Sequence, residues 1–184
     1  MTGMDRATNR PGRLNRQRLA EIIRVDHAGE YGAVRIYEGQ LAVLGGRRTA
    51  AADEIRRMAK AEARHLEEFD RLLLERRVRP TALSPIWQTA GYAIGVVTAL
   101  LGERSAMACT AAVEEVIDEH YTDQLERLHG DMELEGLVRQ FRDDEIEHRD
   151  AAFAHGAKGA PGYTALTGAI KAACRVAIKL SEKI

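Results

Sequence analysis

The chain has 184 residues, enough for one domain with a full core. Its 27 Lys and Arg stand against 28 Asp and Glu, a formal net charge of −1, so no global field draws it to nucleic acid. Aromatics are few, and Ala, Leu, Arg and Glu dominate, a helix-forming composition.

Residues 1–16 carry Arg6, Arg10, Arg13 and Arg16 with Pro11 and Gly12, and lack the apolar run of a signal peptide. They are expected to be a flexible N-terminus; a short transit segment is the weaker reading. Residues 17–184 are expected to form one domain. A first helix is predicted over 17–44, with Leu19, Ile22, Ile23, Val34, Ile36, Leu41 and Leu44 apolar, ended by Gly45 and Gly46. A second covers 49–78, with Ile55, Met58, Leu66, Phe69, Leu72 and Leu73 on one face, stopped by Pro80.

Residues 80–102 (PTALSPIWQTAGYAIGVVTALLG) contain no charged side chain. They must return the chain across the bundle. The core of this run, from Ile86 to Leu101, includes Gln88, two Thr and two Gly, and is short and polar for a membrane span. A buried or interfacial helix is expected, with Trp87 and Tyr92 suited to a membrane interface. A third long helix covers 104–129, ended by Gly130. A fourth covers 131–155, ended by Gly156, Gly159 and Pro161. From 162 to 184, Leu166, Ala169, Ile170, Ala173, Val176, Ala177 and Leu180 are apolar. Lys171, Arg175, Lys179 and Lys183 fall at four-residue steps. A basic stripe beside an apolar face predicts a helix lying on an anionic bilayer; the plainer reading is a sixth helix packed on the bundle. No segment shows strand-like alternation. Cys109 and Cys174 lie in apolar-periodic stretches without C-x-x-C spacing and are expected to be reduced core residues.

One pattern carries chemistry. Glu30 precedes Glu62-x-x-His65, and Glu114 precedes Glu145-x-x-His148 at nearly the same interval. In an antiparallel hairpin, residues equally far from the turn sit at one height. The midpoint of Glu30 and Glu62 is Gly46, and that of Glu114 and Glu145 falls at Gly130. Both pairs therefore meet roughly 24 Å from their turns, at about 1.5 Å per residue. Each His lies one turn from its Glu on the same face. Two such hairpins would place six ligands in one layer of the core. That is the arrangement of ferritin-like di-iron or di-manganese bundles, with one Glu from each of two helices and a Glu-x-x-His from each of the other two. A third triplet, Glu126-x-x-His129, serves as a control: it sits beside Gly130 with no partner at matching height, and reads as surface charge. His27 reads as a core or supporting histidine, and His120 and His155 as structural or solvent-facing. Spacing cannot separate Glu114 from the adjacent Glu115. Aligning Glu30 on Glu114 also places Tyr37 on Tyr121, Gln40 on Gln124 and Leu41 on Leu125, which suggests a repeat.

The blocks RVDHAGEYGAVRIYEGQ (24–40), EARHLEEF (62–69), ACTAAVEEVIDEHY (108–121), FRDDEIEHRD (141–150) and the ending AIKLSEKI resemble the demethoxyubiquinone hydroxylases. These are di-iron monooxygenases of ubiquinone biosynthesis, and the resemblance runs from about residue 17 to the C-terminus. It implies an all-α, ferritin-like four-helix bundle of two antiparallel hairpins joined by a long crossover, plus a crossover helix and a C-terminal amphipathic helix. It implies metal ligands Glu30, Glu62, His65, Glu114, Glu145 and His148, with Glu114 rather than Glu115 in the ligand position. Glu62 and Glu145 would bridge the ions, and Glu30 and Glu114 would be terminal or shift on reduction. Two Fe ions (Fe2+/Fe3+) would use O2 to hydroxylate the ring of a 2-polyprenyl-3-methyl-6-methoxy-1,4-benzoquinone. Electrons would come from NADH or a separate reductase, since the chain has no Gly-x-Gly-x-x-Gly motif. The expected setting is peripheral, on the cytoplasmic face of a bacterial cell membrane. A lipid-presenting partner and other ubiquinone-biosynthesis proteins are the expected associates, with homo-oligomerisation left open and no nucleic acid. Tyr121 lies two turns beyond Glu114 and reads first as core packing, second as a group supporting the ligands. The competing function is a ferritin- or erythrin-like protein that oxidises or stores iron. The uncharged crossover and basic last helix argue against it.

Overall fold

The computed structural model describes residues 16–183, and these are all-α. The helices are α1 (Arg16–Leu44), α2 (Ala50–Arg76), α3 (Ser84–Leu100), α4 (Glu103–Leu125), α5 (Met132–Ala154) and α6 (Tyr163–Ser181), with a 3₁₀ turn at Ala157–Gly159. No strand occurs among the described residues. The expected flexible segment lies outside them, except that Arg16 already begins α1.

Helix ends follow local chemistry. The Thr49 hydroxyl accepts from the Ala52 N–H at 3.2 Å and starts α2; Asp131 accepts from the Leu134 N–H at 3.2 Å and starts α5. Pro85 stands in the first turn of α3, where its missing N–H costs nothing. The third long helix stops at Leu125 rather than 129. There the chain turns so that Leu128 drops fully into the core, and Gly130 takes a φ of 101° that favours glycine.

Four helices make the central bundle. Paired contacts run in opposite chain directions between α1 and α4 (Glu30 with Tyr121, Tyr37 with Glu114) and between α2 and α5 (Glu62 with His148, Arg76 with Asp131). Each pair is therefore antiparallel. Ile55, Met58, Phe69 and Leu72 of α2 are fully buried, as are Met107, Cys109 and Ala112 of α4. Each large apolar side chain so buried contributes roughly 1.5–3 kcal/mol. Cys109 and Cys174 are both free thiols.

The crossover is α3, which runs parallel to α1. Glycines make the contact: an added Cβ on Gly91 would lie 2.9 Å from the Gly32 carbonyl oxygen, and one on Gly39 would lie 2.2 Å from the Tyr92 carbonyl oxygen. The outer side of α3 leaves Ile86, Val97 and Leu100 exposed. No helix among the described residues is long and apolar enough to cross a membrane. Helix α6 packs along α4. Lys171 pairs with Glu115 and Arg175 with Glu119 at 2.8 Å, so two of the four charges are turned toward α4. Helix α6 thus packs on the bundle as the plainer reading expected, while Val176 and Leu180 remain exposed.

Candidate metal centre

The six predicted residues meet in one buried layer. Glu30, Glu62, Glu114 and Glu145 have no exposed surface, and His65 and His148 have almost none. Each comes from a separate turn of the central bundle: Glu30 from α1, Glu62 and His65 from α2, Glu114 from α4, and Glu145 and His148 from α5. They form two overlapping quartets, Glu30, Glu62, His65, Glu145 and Glu62, Glu114, Glu145, His148. Within each, one ligand atom per residue lies within 4.8 Å of every other. Glu62 and Glu145 belong to both. Nδ1 of His65 lies 3.2 Å from Glu145 Oε1 and 3.5 Å from Glu30 Oε2. Nδ1 of His148 lies 2.9 Å from Glu62 Oε1.

These atoms converge without being satisfied. Both oxygens of Glu62, one each of Glu30, Glu114 and Glu145, and Nδ1 of His65 lack a well-aligned hydrogen-bond partner. Several are close enough for ion pairing but point past one another. Buried carboxylates left this way cost several kcal/mol per ion or must take up protons. The protein alone shows the second response. Burial and the charge of Glu145 push Glu62 up to about 8. Burial raises Glu114 well above the carboxylate range, with Glu145 and Glu62 adding to it. Burial would lower both histidines, but Glu145 and Glu30 raise His65 to about 12, and Glu145 and Glu62 raise His148 to about 9. Burial would likewise raise Glu145, yet the two adjacent imidazoles, His148 and His65, hold it at about 2. Two divalent cations would replace these protons and meet every orphaned atom. The donor set has oxygen and imidazole but no thiolate, which suits iron or manganese over structural zinc.

The structure separates Glu114 from Glu115, since Glu115 faces outward to Lys171 of α6. It also separates the control triplet, with Glu126 and His129 exposed and outside the cluster. His27 pairs with Asp70 at 3.0 Å and His120 with Asp26 at 3.1 Å, and neither joins a quartet. His155 is half-buried and likewise outside.

Tyr121 does more than pack. Its hydroxyl donates to Glu30 Oε1, while Tyr37 donates to Glu114 Oε1 at 2.7 Å. The bonds cross: the tyrosine of α1 serves the glutamate of α4, and the reverse. Burial raises both phenols well above their ordinary range, so they stay protonated donors. The same exchange recurs farther out, where Gln40 donates to Thr110 at 3.4 Å and Gln124 to Asp26 at 2.6 Å. Tyr37, Asp26 and Thr110 are supporting residues that pattern reading passed over. The repeat that aligns Tyr37 with Tyr121 was their one signal.

Beside this layer lies an apolar cleft of about 140 Å³. Its floor is the α1–α4 seam, including Gly29 and Val113, the residues immediately before Glu30 and Glu114. Its walls are Trp87, Gly91 and Ile94 of α3 and Ala173, Cys174 and Ala177 of α6.

Comparison with known proteins fits this geometry. A 3-demethoxyubiquinol 3-hydroxylase of Rhodospirillum rubrum is 54% identical over 167 residues, covering 90% of this chain and 78% of that protein. The NADPH-dependent 3-demethoxyubiquinone 3-hydroxylase, mitochondrial, of Rattus norvegicus is 50% identical over 175 residues, covering 92% and 80%. The 5-demethoxyubiquinone hydroxylase, mitochondrial, of Saccharomyces cerevisiae is 42% identical over 182 residues, covering 90% and 78%. The family model for ubiquinone biosynthesis protein COQ7 matches residues 17–181, and with these relatives it establishes that the chain belongs to that family.

Proposed function

We propose that this protein is a di-iron monooxygenase that hydroxylates the ring of a demethoxyubiquinone-type polyprenyl benzoquinone with O2. The observation that carries the reading is the buried layer of four glutamates and two histidines whose atoms converge without partners. Glu30, Glu62, His65, Glu114, Glu145 and His148 would hold the metal, with Glu62 and Glu145 shared between the two positions. Two bound irons, cycling between Fe2+ and Fe3+, would supply the activation of O2. In balance, a ring C–H, O2, two electrons and two protons become a ring C–OH and water.

The chain's own residues supply the rest. Tyr37 and Tyr121 each engage one carboxylate oxygen and leave the other free toward the centre. The packed core keeps bulk water from the reacting layer. The cleft between α3 and α6 offers apolar walls to a substrate with a long isoprenoid tail. The names of the three relatives support the substrate class, and the rat protein's name carries NADPH. With no strand among the described residues, no Rossmann unit is formed there. The electrons would come from a reduced nicotinamide nucleotide acting on the quinone, or from a separate reductase. Exposed Ile86, Val97 and Leu100 of α3, with Val176 and Leu180 of α6, support peripheral contact with a bilayer or a lipid-presenting partner.

The test is a single turnover: reduced, anaerobic protein carrying two irons is mixed with demethoxyquinone, then with O2. Hydroxylated quinone is expected; its absence sinks the reading. Glu114→Ala should abolish turnover while circular dichroism keeps its helical signal.

A further inference from the structure

The two halves of the cluster repeat at their ligands and at a few supporting residues. Carrying Glu30 onto Glu114 carries Tyr37 onto Tyr121 and Gln40 onto Gln124. Carrying Glu62 onto Glu145 carries His65 onto His148. The halves differ at the position just before the second glutamate of each, where α2 has Ala61 and α5 has Asp144.

The break falls on the outer nitrogen of a histidine. Nε2 of His65 donates to Asp144 Oδ2 at 3.0 Å, across the α2–α5 interface. In the neutral imidazole that a metal requires, a donor bond at Nε2 leaves the Nδ1 lone pair free, and Nδ1 is the atom that faces Glu30 and Glu145. Phe141 stacks on the same ring, 3.9 Å between centroids, so ring position and rotation are both held. His148 also turns Nδ1 inward, to Glu62 and Glu145. Among the described residues no carboxylate meets its Nε2. The equivalent sequence position in α2 is Ala61, a buried residue with no carboxylate to offer. A carboxylate on the far nitrogen of a ligating histidine fixes its orientation and raises its basicity, and losing one typically costs about 10–100-fold in metal affinity.

We propose that Asp144 is a positioning residue that makes the two metal positions unequal. The position framed by Glu30, Glu62, His65 and Glu145 fills first, and the one framed by Glu62, Glu114, Glu145 and His148 fills second. This rests on reading the cluster as a dinuclear centre. Ordered filling gives each ion a defined site before the second arrives, so the halves of a near-symmetric cluster differ in how firmly they keep their metal.

The experiment is anaerobic calorimetric titration of the metal-free full chain with Fe(II), repeated with Co(II) so that absorption follows each step. Wild type is expected to bind two ions in resolved tight and weak steps. Asp144→Ala should weaken the tight step by about 10–100-fold and leave the weak one in place. The Asp144 side chain is 39% exposed, so removing it leaves the core intact. Ala61→Asp should tighten the weak step; should it fail to fold, Asp144→Ala alone decides. Two equal steps in wild type, or a loss in Asp144→Ala spread equally over both steps, overturns the inference. Failure of wild type to bind two ions at all would instead overturn the dinuclear reading beneath it.

Discussion

Replacing Gly95 by alanine tests how α3 is seated. A Cβ built there lies 2.1 Å from the Ile36 carbonyl oxygen, 2.9 Å from its carbon and 3.0 Å from the Gln40 nitrogen. All three are backbone atoms of α1, so no rotamer change relieves the clash. Helix α3 must back away by roughly 1 Å, and overpacking of this kind costs about 1–3 kcal/mol. For a chain of this size each kcal/mol moves the melting temperature by about 2–4 °C, so a fall of about 2–12 °C is expected. Gly136 is the control: it lies inside α5 with nothing within 4 Å of its added Cβ. There alanine should stabilise by up to about 1 kcal/mol through helix propensity. Opposite signs for the same substitution on two helices cannot come from propensity alone. The assay is thermal melting by circular dichroism, with iron content measured alongside. Iron content should hold in Gly95→Ala, because the proposed ligands lie on α1, α2, α4 and α5. Affinity for the quinone should fall, because α3 walls the cleft. A Gly95→Ala protein that melts at or above the wild-type temperature would refute the argument that α3 rides backbone to backbone on α1.

Further outcomes follow from the same geometry. Tyr37→Phe and Tyr121→Phe each leave a buried carboxylate oxygen unpaired, so each should lower stability by about 1–3 kcal/mol in denaturant melts; no loss in either would mean that the crossed bonds are absent in solution. Metal binding needs carboxylates and neutral imidazoles, whereas Glu62, His65 and His148 hold protons at neutral pH. Uptake should therefore release protons and tighten as pH rises; a buffer-dependent calorimetric series showing no release would contradict this. The metal-free protein should lose stability with rising pH. His148 contributes fully below 6.5 and fades through about 9, and Glu62 penalises the fold as pH climbs from 4.5 through about 8. A metal-free melting temperature that rises across that window would reverse the sign assigned here. Val176→Asp with Leu180→Asp should reduce flotation with anionic vesicles without changing iron content; unchanged flotation would remove α6 from the membrane face.

Much of the cluster was legible because helical periodicity is rigid. Residues three apart share a face, and residues equidistant from a glycine turn share a height. Spacing alone therefore placed Glu30 level with Glu62, and Glu114 level with Glu145. What lay outside its reach involves direction across the bundle. Neighbours in sequence, Glu114 and Glu115, face opposite ways on α4, one into the cluster and one to Lys171. Tyr121 could pack or bond, and only its approach to Glu30 of another helix decides which. The basic stripe of α6 was a true periodicity. Two of its four charges, Lys171 and Arg175, find partners on α4, and a pattern read along one helix does not reveal them.

The sequence by itself determined the helical class, the two hairpins and the six ligand candidates, because those depend on local propensity and on distance along the chain. Tertiary structure decided which carboxylate turns inward, which tyrosine holds which glutamate, and that His65 has an acid behind it where, among the described residues, His148 has none. Each depends on how α1 meets α4 and α2 meets α5. Those contacts join residues dozens of positions apart, so no local pattern encodes them.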